Sequence, residues 1–114
     1  MIRLAELILI KAEILARQNK LAEAVNEYNI VRVRAGLARH TLGTNVTTQA
    51  QVLAAIDLER RLELAFEGDR WPDLVRQGRV VTVKGFTDRP GQALFPIPLR
   101  DVRTSPGLTQ NPGY

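Results

Sequence analysis

The sequence predicts a mainly α-helical protein built from tetratricopeptide-like helical hairpins and ending in an irregular tail that contains Pro and Gly. Three observations support this fold class. Apolar residues recur at helical spacing within residues 1–36 and again within residues 48–78. Residues that favour helix ends separate these two segments. Pro and Gly then become frequent in residues 79–114, where no long helix is expected.

Residues 1–36 are predicted to form a helical hairpin of about 34 residues, the length of one tetratricopeptide unit. Asn19 interrupts the apolar pattern between the two helices, and Gly36 suits the left-handed backbone position that follows a helix end. A single repeat of this kind cannot bury both of its faces. We therefore expect part of the first helix to be exposed and to promote self-association in isolation. The apolar residues concerned include some of Leu4, Leu7, Ile8 and Ile14.

Residues 48–78 are predicted to contain a third and a fourth helix. Thr48 is expected to cap the third helix, because Gln51 follows three residues later in the capping-box pattern. This helix is expected to run from about residue 49 to residue 67. A short fourth helix should follow at residues 69–77, with the side chain of residue 69 as its N-terminal cap.

Residues 79–114 are expected to form a mostly irregular tail. A short extended segment is predicted at residues 80–84. Alternating prolines predict extended chain at residues 95–98, and residues 99–103 are expected to form one helical turn. We interpret residues 1–114 as a single domain or a fragment of one, since this length suits one ordinary hydrophobic core.

The composition argues against several classes of function. The 114 residues contain no Cys and a single His, so neither a disulfide framework nor a metal site is expected. We predict no cofactor. The formal net charge is +4, but the 16 Lys and Arg residues are dispersed among 12 Asp and Glu residues instead of forming a basic run. We therefore expect no nucleic-acid partner.

Three glutamates lie one helical turn apart on the predicted third helix. At about 100° per residue, Glu59, Glu63 and Glu67 form one ridge. The same side of the helix carries the apolar residues Val52, Ile56 and Phe66. Like charges at successive i, i+4 positions repel one another, so on a buried or half-buried face they need cationic partners. The candidate partners are Arg32, Arg34, Arg70 and Arg76.

We interpret this region as a structural network of ion pairs and hydrogen bonds that fixes the helix register. Its predicted members are Glu59, Glu63, Glu67, Arg70, Trp71, Asp73 and Arg76. An alternative makes two glutamates the catalytic pair of a retaining glycosidase, because neighbours one turn apart have roughly the required spacing of about 5 to 5.5 Å. We reject it, since catalytic carboxylates usually face each other across a cleft, whereas stacked glutamates near many arginines are ionised and paired. We therefore predict no catalytic residue.

Two further side chains could take part in a binding site. Trp71 could stack on a sugar, but an indole in the first turn of a short helix is more often a core anchor. His40 has no partner that its spacing in the sequence suggests. Neither residue is assigned to a ligand.

Three stretches of the sequence match a known family in order and spacing. Residues 2–37 include the segments IRLAEL, KAE and VRVRAGL, residues 59–78 include ERRLELAFEG and RWPDLVR, and residues 94–114 include LFPIP and NPGY. Together these stretches resemble the C-terminal region of the SusD/RagB family of outer-membrane nutrient-binding lipoproteins. Pro72 departs from the family pattern, in which an aromatic residue is more usual at this position.

The resemblance implies a function that composition and spacing do not. It implies a non-catalytic scaffold portion of a SusD-like surface lipoprotein, which binds glycans or other nutrients and hands them to a SusC-like TonB-dependent transporter in the outer membrane. Family members are several times longer, so the resemblance also implies a fragment whose lipid anchor and main ligand contacts lie upstream. No ligand-binding residue is therefore assigned. The alternative is a free-standing tetratricopeptide-like adaptor that binds a peptide.

Overall fold

The computed structural model describes residues 3–85 and 90–114. The chain forms two compact units, Met1–Asp69 and Arg70–Tyr114. Within the described residues, helices joined by turns are the regular elements, and the β-type pairing is one isolated bridge between Leu42 and Val46. The predicted mainly α-helical fold class is confirmed.

The first unit contains three helices: α1 (Leu4–Arg17), α2 (Leu21–Arg34) and α3 (Gln49–Glu63). Helix α1 packs against both α2 and α3. Small residues at the contact let the helix axes approach closely, because Ala12, Ala16 and Ala24 are fully buried. The larger side chains of the same core are Leu9, Val25, Tyr28, Val31, Val46, Val52 and Ile56.

Left-handed residues end the first two helices where the sequence predicts breaks. Asn19 has φ 61° after α1, and Gly36 has φ 77° after α2. At the second end the backbone N–H of Leu37 donates to the Arg32 carbonyl at 2.9 Å, and the N–H of Gly36 donates to the Val33 carbonyl at 3.0 Å. This pair of bonds is the Schellman motif, and it uses carbonyls that the helix itself leaves unpaired.

The third helix begins as predicted and ends earlier than predicted. Thr48 and Gln51 form the complete capping box. The helix stops at Glu63, four residues before the expected end, and residues 64–69 form turns. Phe66 has φ 65°, which a right-handed helix does not allow, and its side chain is fully exposed. The expectation that Phe66 lies on the apolar side of the third helix is therefore wrong.

The second unit contains α4 (Arg70–Arg76), α5 (Val80–Lys84), a short 3₁₀ turn (Pro90–Ala93) and α6 (Leu99–Thr104). The predicted extended segment at residues 80–84 is wrong, because these residues are helical. A helical hydrogen bond joins the Val83 N–H to the Arg79 carbonyl at 2.9 Å, and Val80 is buried. Burial of this side chain outweighs the weak preference of a valine-rich segment for strand. The helical turn predicted at residues 99–103 is confirmed by α6.

One side of α1 remains exposed in the first unit. Leu4 is 74% exposed, Leu7 52% and Ile14 51%, whereas Ile8 packs against the core. The three exposed side chains agree with the expectation of an uncovered hairpin face. None of the described helices combines the length and the apolar character that crossing a membrane requires.

Candidate functional site

The three predicted glutamates lie along one edge of the first unit, and we call them the carboxylate ladder (Glu59, Glu63 and Glu67). Glu59 lies inside α3, Glu63 is its last residue, and Glu67 lies in the following turn. Their side chains are 4%, 11% and 37% exposed, in that order. Burial therefore decreases along the ladder, and the need for a cationic partner is greatest at Glu59.

Arginines from three places in the first unit bind the carboxylate ladder. Arg32, in the last turn of α2, pairs with Glu59. Arg34, the last residue of α2, pairs with Glu63. Arg3, just before α1, binds Glu63 and Glu67 together. The ladder thus connects the end of α3 to both helices of the hairpin.

The contacts of Arg3 use most of its guanidinium. Nη1 donates to Glu63 Oε1 at 3.1 Å and Nη2 to the Glu63 backbone carbonyl at 2.8 Å. Nη2 also donates to Glu67 Oε1 at 2.6 Å, while Nε donates to Glu67 Oε2 at 3.2 Å. This forked arrangement is the one that arginine and carboxylate geometry favours. The hydrogen bond that Arg3 donates to Glu67, with the charges of both glutamates, raises the pKa of Arg3 above its usual value.

A second polar cluster attaches residues 38–41, which we call the strap, to α2. The hydroxyl of Tyr28 lies 2.9 Å from His40 Nδ1. The Asn29 side chain donates to the His40 carbonyl and accepts from the His40 N–H, both at 2.9 Å. Arg32 Nε donates to the Ala38 carbonyl at 3.0 Å. Arg32 therefore joins the strap to the carboxylate ladder.

Burial changes the acid-base properties of this cluster. Tyr28 is fully buried, and desolvation raises the pKa of its phenol to about 12, with a further contribution from Glu59 that Arg32 opposes. Desolvation also lowers the pKa of His40, and the positive charge of Arg32 acts in the same direction. At neutral pH the cluster therefore contains a protonated phenol and a neutral imidazole.

The remaining predicted residues belong to the second unit. Asp73 is buried and pairs with Arg76 within α4 at 3.0 Å, and Arg70 is the first residue of that helix. Trp71 is only half-buried, so the expectation of a core anchor is met in part. Its ring centroid lies 5.3 Å from that of Phe95, with the planes tilted by 34°.

The geometry of the carboxylate ladder suits structural support better than catalysis. All three carboxylates accept hydrogen bonds from arginine side chains, so each is already engaged by a cation. A general acid needs a carboxyl group that is held protonated near a substrate cleft. Among residues 3–85 and 90–114, no group of three His, Asp or Glu side chains could hold a metal ion.

Sequence reasoning found some of these partners and missed others. Arg32 and Arg34 were expected near the glutamates, and the structure places them there. Arg3 was missed, although an antiparallel hairpin brings the start of α1 beside the end of α2, where those two arginines lie. The pairing of Tyr28 with His40 was also missed, because it depends on how the loop after α2 folds back.

The elements described above define a helical fold of the repeat-protein type. The chain belongs to the SusD family, whose family model matches residues 1–91. A solved structure, a SusD superfamily protein from Bacteroides thetaiotaomicron, has the same fold with a TM-score of 0.77 and 30% sequence identity. That match covers 96% of this chain and 25% of the solved chain.

Two curated relatives match almost the whole chain. The SusD-like protein P38 of Formosa agariphila is 34% identical over 98% of this chain, which corresponds to 24% of the relative. The starch-binding protein SusD of Bacteroides thetaiotaomicron is 33% identical over 98% of this chain and 21% of the relative. This chain therefore spans between a fifth and a quarter of the length of the relatives that it matches.

Proposed function

We propose that this chain is the non-catalytic scaffold portion of a SusD-like surface lipoprotein at the cell outer membrane. The complete protein would bind glycans or other nutrients and hand them to a SusC-like TonB-dependent barrel transporter. The observation that carries the proposal is the family match over residues 1–91, together with the shared fold at 30% identity. The starch-binding relative supports a glycan as the class of ligand.

The scaffold role is supported by what the polar side chains contact. Glu59 and Glu63 bind arginines of α2, and Gln49 Nε2 donates to the Ala16 carbonyl at the end of α1 at 2.8 Å. These contacts connect helices to one another. Buried links of this kind fix helix register, which is a requirement for a framework that other segments must pack on.

A chimera tests whether the segment supports binding or supplies it. In the starch-binding SusD relative, the aligned one-fifth of the protein would be replaced by this chain, and starch binding would be measured by affinity electrophoresis. We expect the chimera to bind starch like its parent, because the ligand contacts are proposed to lie elsewhere. A chimera that is folded by circular dichroism yet has lost starch binding would contradict the scaffold role.

Transporter hand-off and the absence of catalysis need separate measurements. The chimera should co-purify with the transporter of its parent, and a folded chimera that loses the transporter would count against a neutral scaffold. Incubation of this chain with starch should release no new reducing ends. Release that Glu59→Gln or Glu63→Gln abolishes would instead establish a glycosidase.

A further inference from the structure

One of the contacts that attach the strap to α2 is made by a titratable ring, that of His40. His40 is the only histidine of the 114 residues. Its backbone is held by both atoms of the Asn29 amide, and its ring by the hydroxyl of Tyr28. The strap and α2 also enclose a groove of about 310 Å³, which residues 39–42 line on one side. A change at His40 therefore acts on the strap and on the groove together.

The burial of Tyr28 makes the hydrogen bond between the two rings favour the neutral form of His40. Tyr28 is fully buried, so its hydroxyl proton needs an acceptor. Within residues 3–85 and 90–114, His40 Nδ1 is the partner of this hydroxyl. A neutral imidazole can accept at Nδ1 while its own proton is on Nε2, whereas an imidazolium is a donor at both nitrogens. Protonation would therefore reverse this hydrogen bond, so that the phenol oxygen accepts from Nδ1 and the buried phenol proton loses its acceptor.

The neighbouring charges do not remove this conflict. Tyr28 and Arg32 face His40 from α2, and Glu59 faces it from α3. The positive charge of Arg32 disfavours protonation of His40. Glu59 favours protonation, but its carboxylate is already paired with Arg32. Together with desolvation these charges lower the pKa of His40 from its ordinary 6.5. Geometry and charge therefore both favour the neutral ring.

We infer that His40 is a pH-sensitive contact between the strap and α2. As a neutral imidazole it holds the strap on α2, and when it is protonated the strap and its groove loosen. The direction of the pH dependence follows from the linkage between proton binding and folding stability. The unfolded chain binds the proton more tightly than the folded chain does, so stability is full above pH 6.5 and is lost as the pH falls through the lower folded-state value. Each unit by which the pKa of His40 is lower in the folded chain corresponds to about a tenfold shift of the equilibrium towards the loosened state at acidic pH.

The titration of His40 tests the first half of the inference. Selective ¹³C labelling of histidine in the full chain gives one ring signal, which can be followed by NMR between about pH 4 and about pH 8. We expect a midpoint below 6.5 and a higher midpoint in Tyr28→Phe, which removes the buried hydroxyl whose proton the neutral ring accepts. A midpoint at or above 6.5 in the unaltered chain overturns the inference.

Hydrogen exchange tests whether protonation releases the strap. The His40 amide donates to Asn29 Oδ1, so its protection, corrected for the intrinsic rate, reports strap attachment. We expect this protection to fall at acidic pH in the unaltered chain and to remain constant in His40→Gln, whose side chain can accept from Tyr28 but does not titrate. An equal fall in both proteins would overturn the role of His40 and assign the change to other groups.

Discussion

The ion pair between Glu59 and Arg32 gives the sharpest test of the carboxylate ladder. Glu59 is 3% exposed, and the side chain of Arg32 is 12% exposed. Glu59→Gln keeps the shape of the side chain but leaves the guanidinium without its carboxylate partner. Removing one member of a buried pair costs about 3–5 kcal/mol. Arg32 retains its hydrogen bond to the Ala38 carbonyl, so we expect the lower end, about 3 kcal/mol.

This loss is large beside the stability of small domains, which is about 5–15 kcal/mol. For a chain of this size it corresponds to a decrease of at least about 12 °C in the thermal midpoint. Circular dichroism at low protein concentration, with light scattering to monitor association, measures the midpoint. Glu67→Gln is the matched control, because the Glu67 side chain is 37% exposed and its pairing is screened by solvent. A decrease for Glu59→Gln no larger than that for Glu67→Gln would refute the reasoning.

Three further outcomes are expected. Glu63→Lys places a cation where two arginines now share a carboxylate, so its thermal midpoint should fall below that of Glu63→Gln; an unchanged midpoint would contradict the structural network. Leu7→Glu combined with Ile14→Lys should reduce light scattering, because both side chains are about half exposed, and unchanged scattering would place the association elsewhere. Burial raises the pKa of Tyr28 from 10.0 to about 12, so the stability that it contributes is full below pH 10 and is lost as the pH rises through 12. Alkaline unfolding curves of the unaltered chain and Tyr28→Phe would show this difference, and parallel curves would exclude it.

Local signals in the sequence were enough to predict most of the first unit. The left-handed position of Gly36 and the capping box of Thr48 each depend on a few neighbouring residues, so a short segment contains the information. The end of α3 was harder to predict, because Leu64 and Phe66 continue the apolar pattern beyond the point where the backbone turns. Apolar periodicity alone cannot tell a buried leucine from a fully exposed phenylalanine.

Some of the polar contacts could likewise be predicted from the sequence and others could not. Arg32 and Arg34 were predictable because both lie in the last turn of α2, and a helix that packs on the hairpin must pass near them. The pairing of Tyr28 with His40 joins a buried helix position to a loop residue 12 positions away. Its geometry follows from the path of the loop, in which the side-chain amide of Asn29 binds the backbone of His40, and no repeat in the sequence indicates that path.

The placement of polar contacts at both ends of α3 explains how one helix can fix the hairpin. At its start, Gln49 Nε2 donates to the Ala16 carbonyl in the last turn of α1. At its end, Glu59 and Glu63 bind arginines in the last turn of α2. The buried apolar side chains lie between these two sets of contacts, so a shift of α3 by one turn would break both sets and misalign the core. We propose that apolar packing supplies most of the stabilisation and that the polar ends select a single register from those that packing alone would allow.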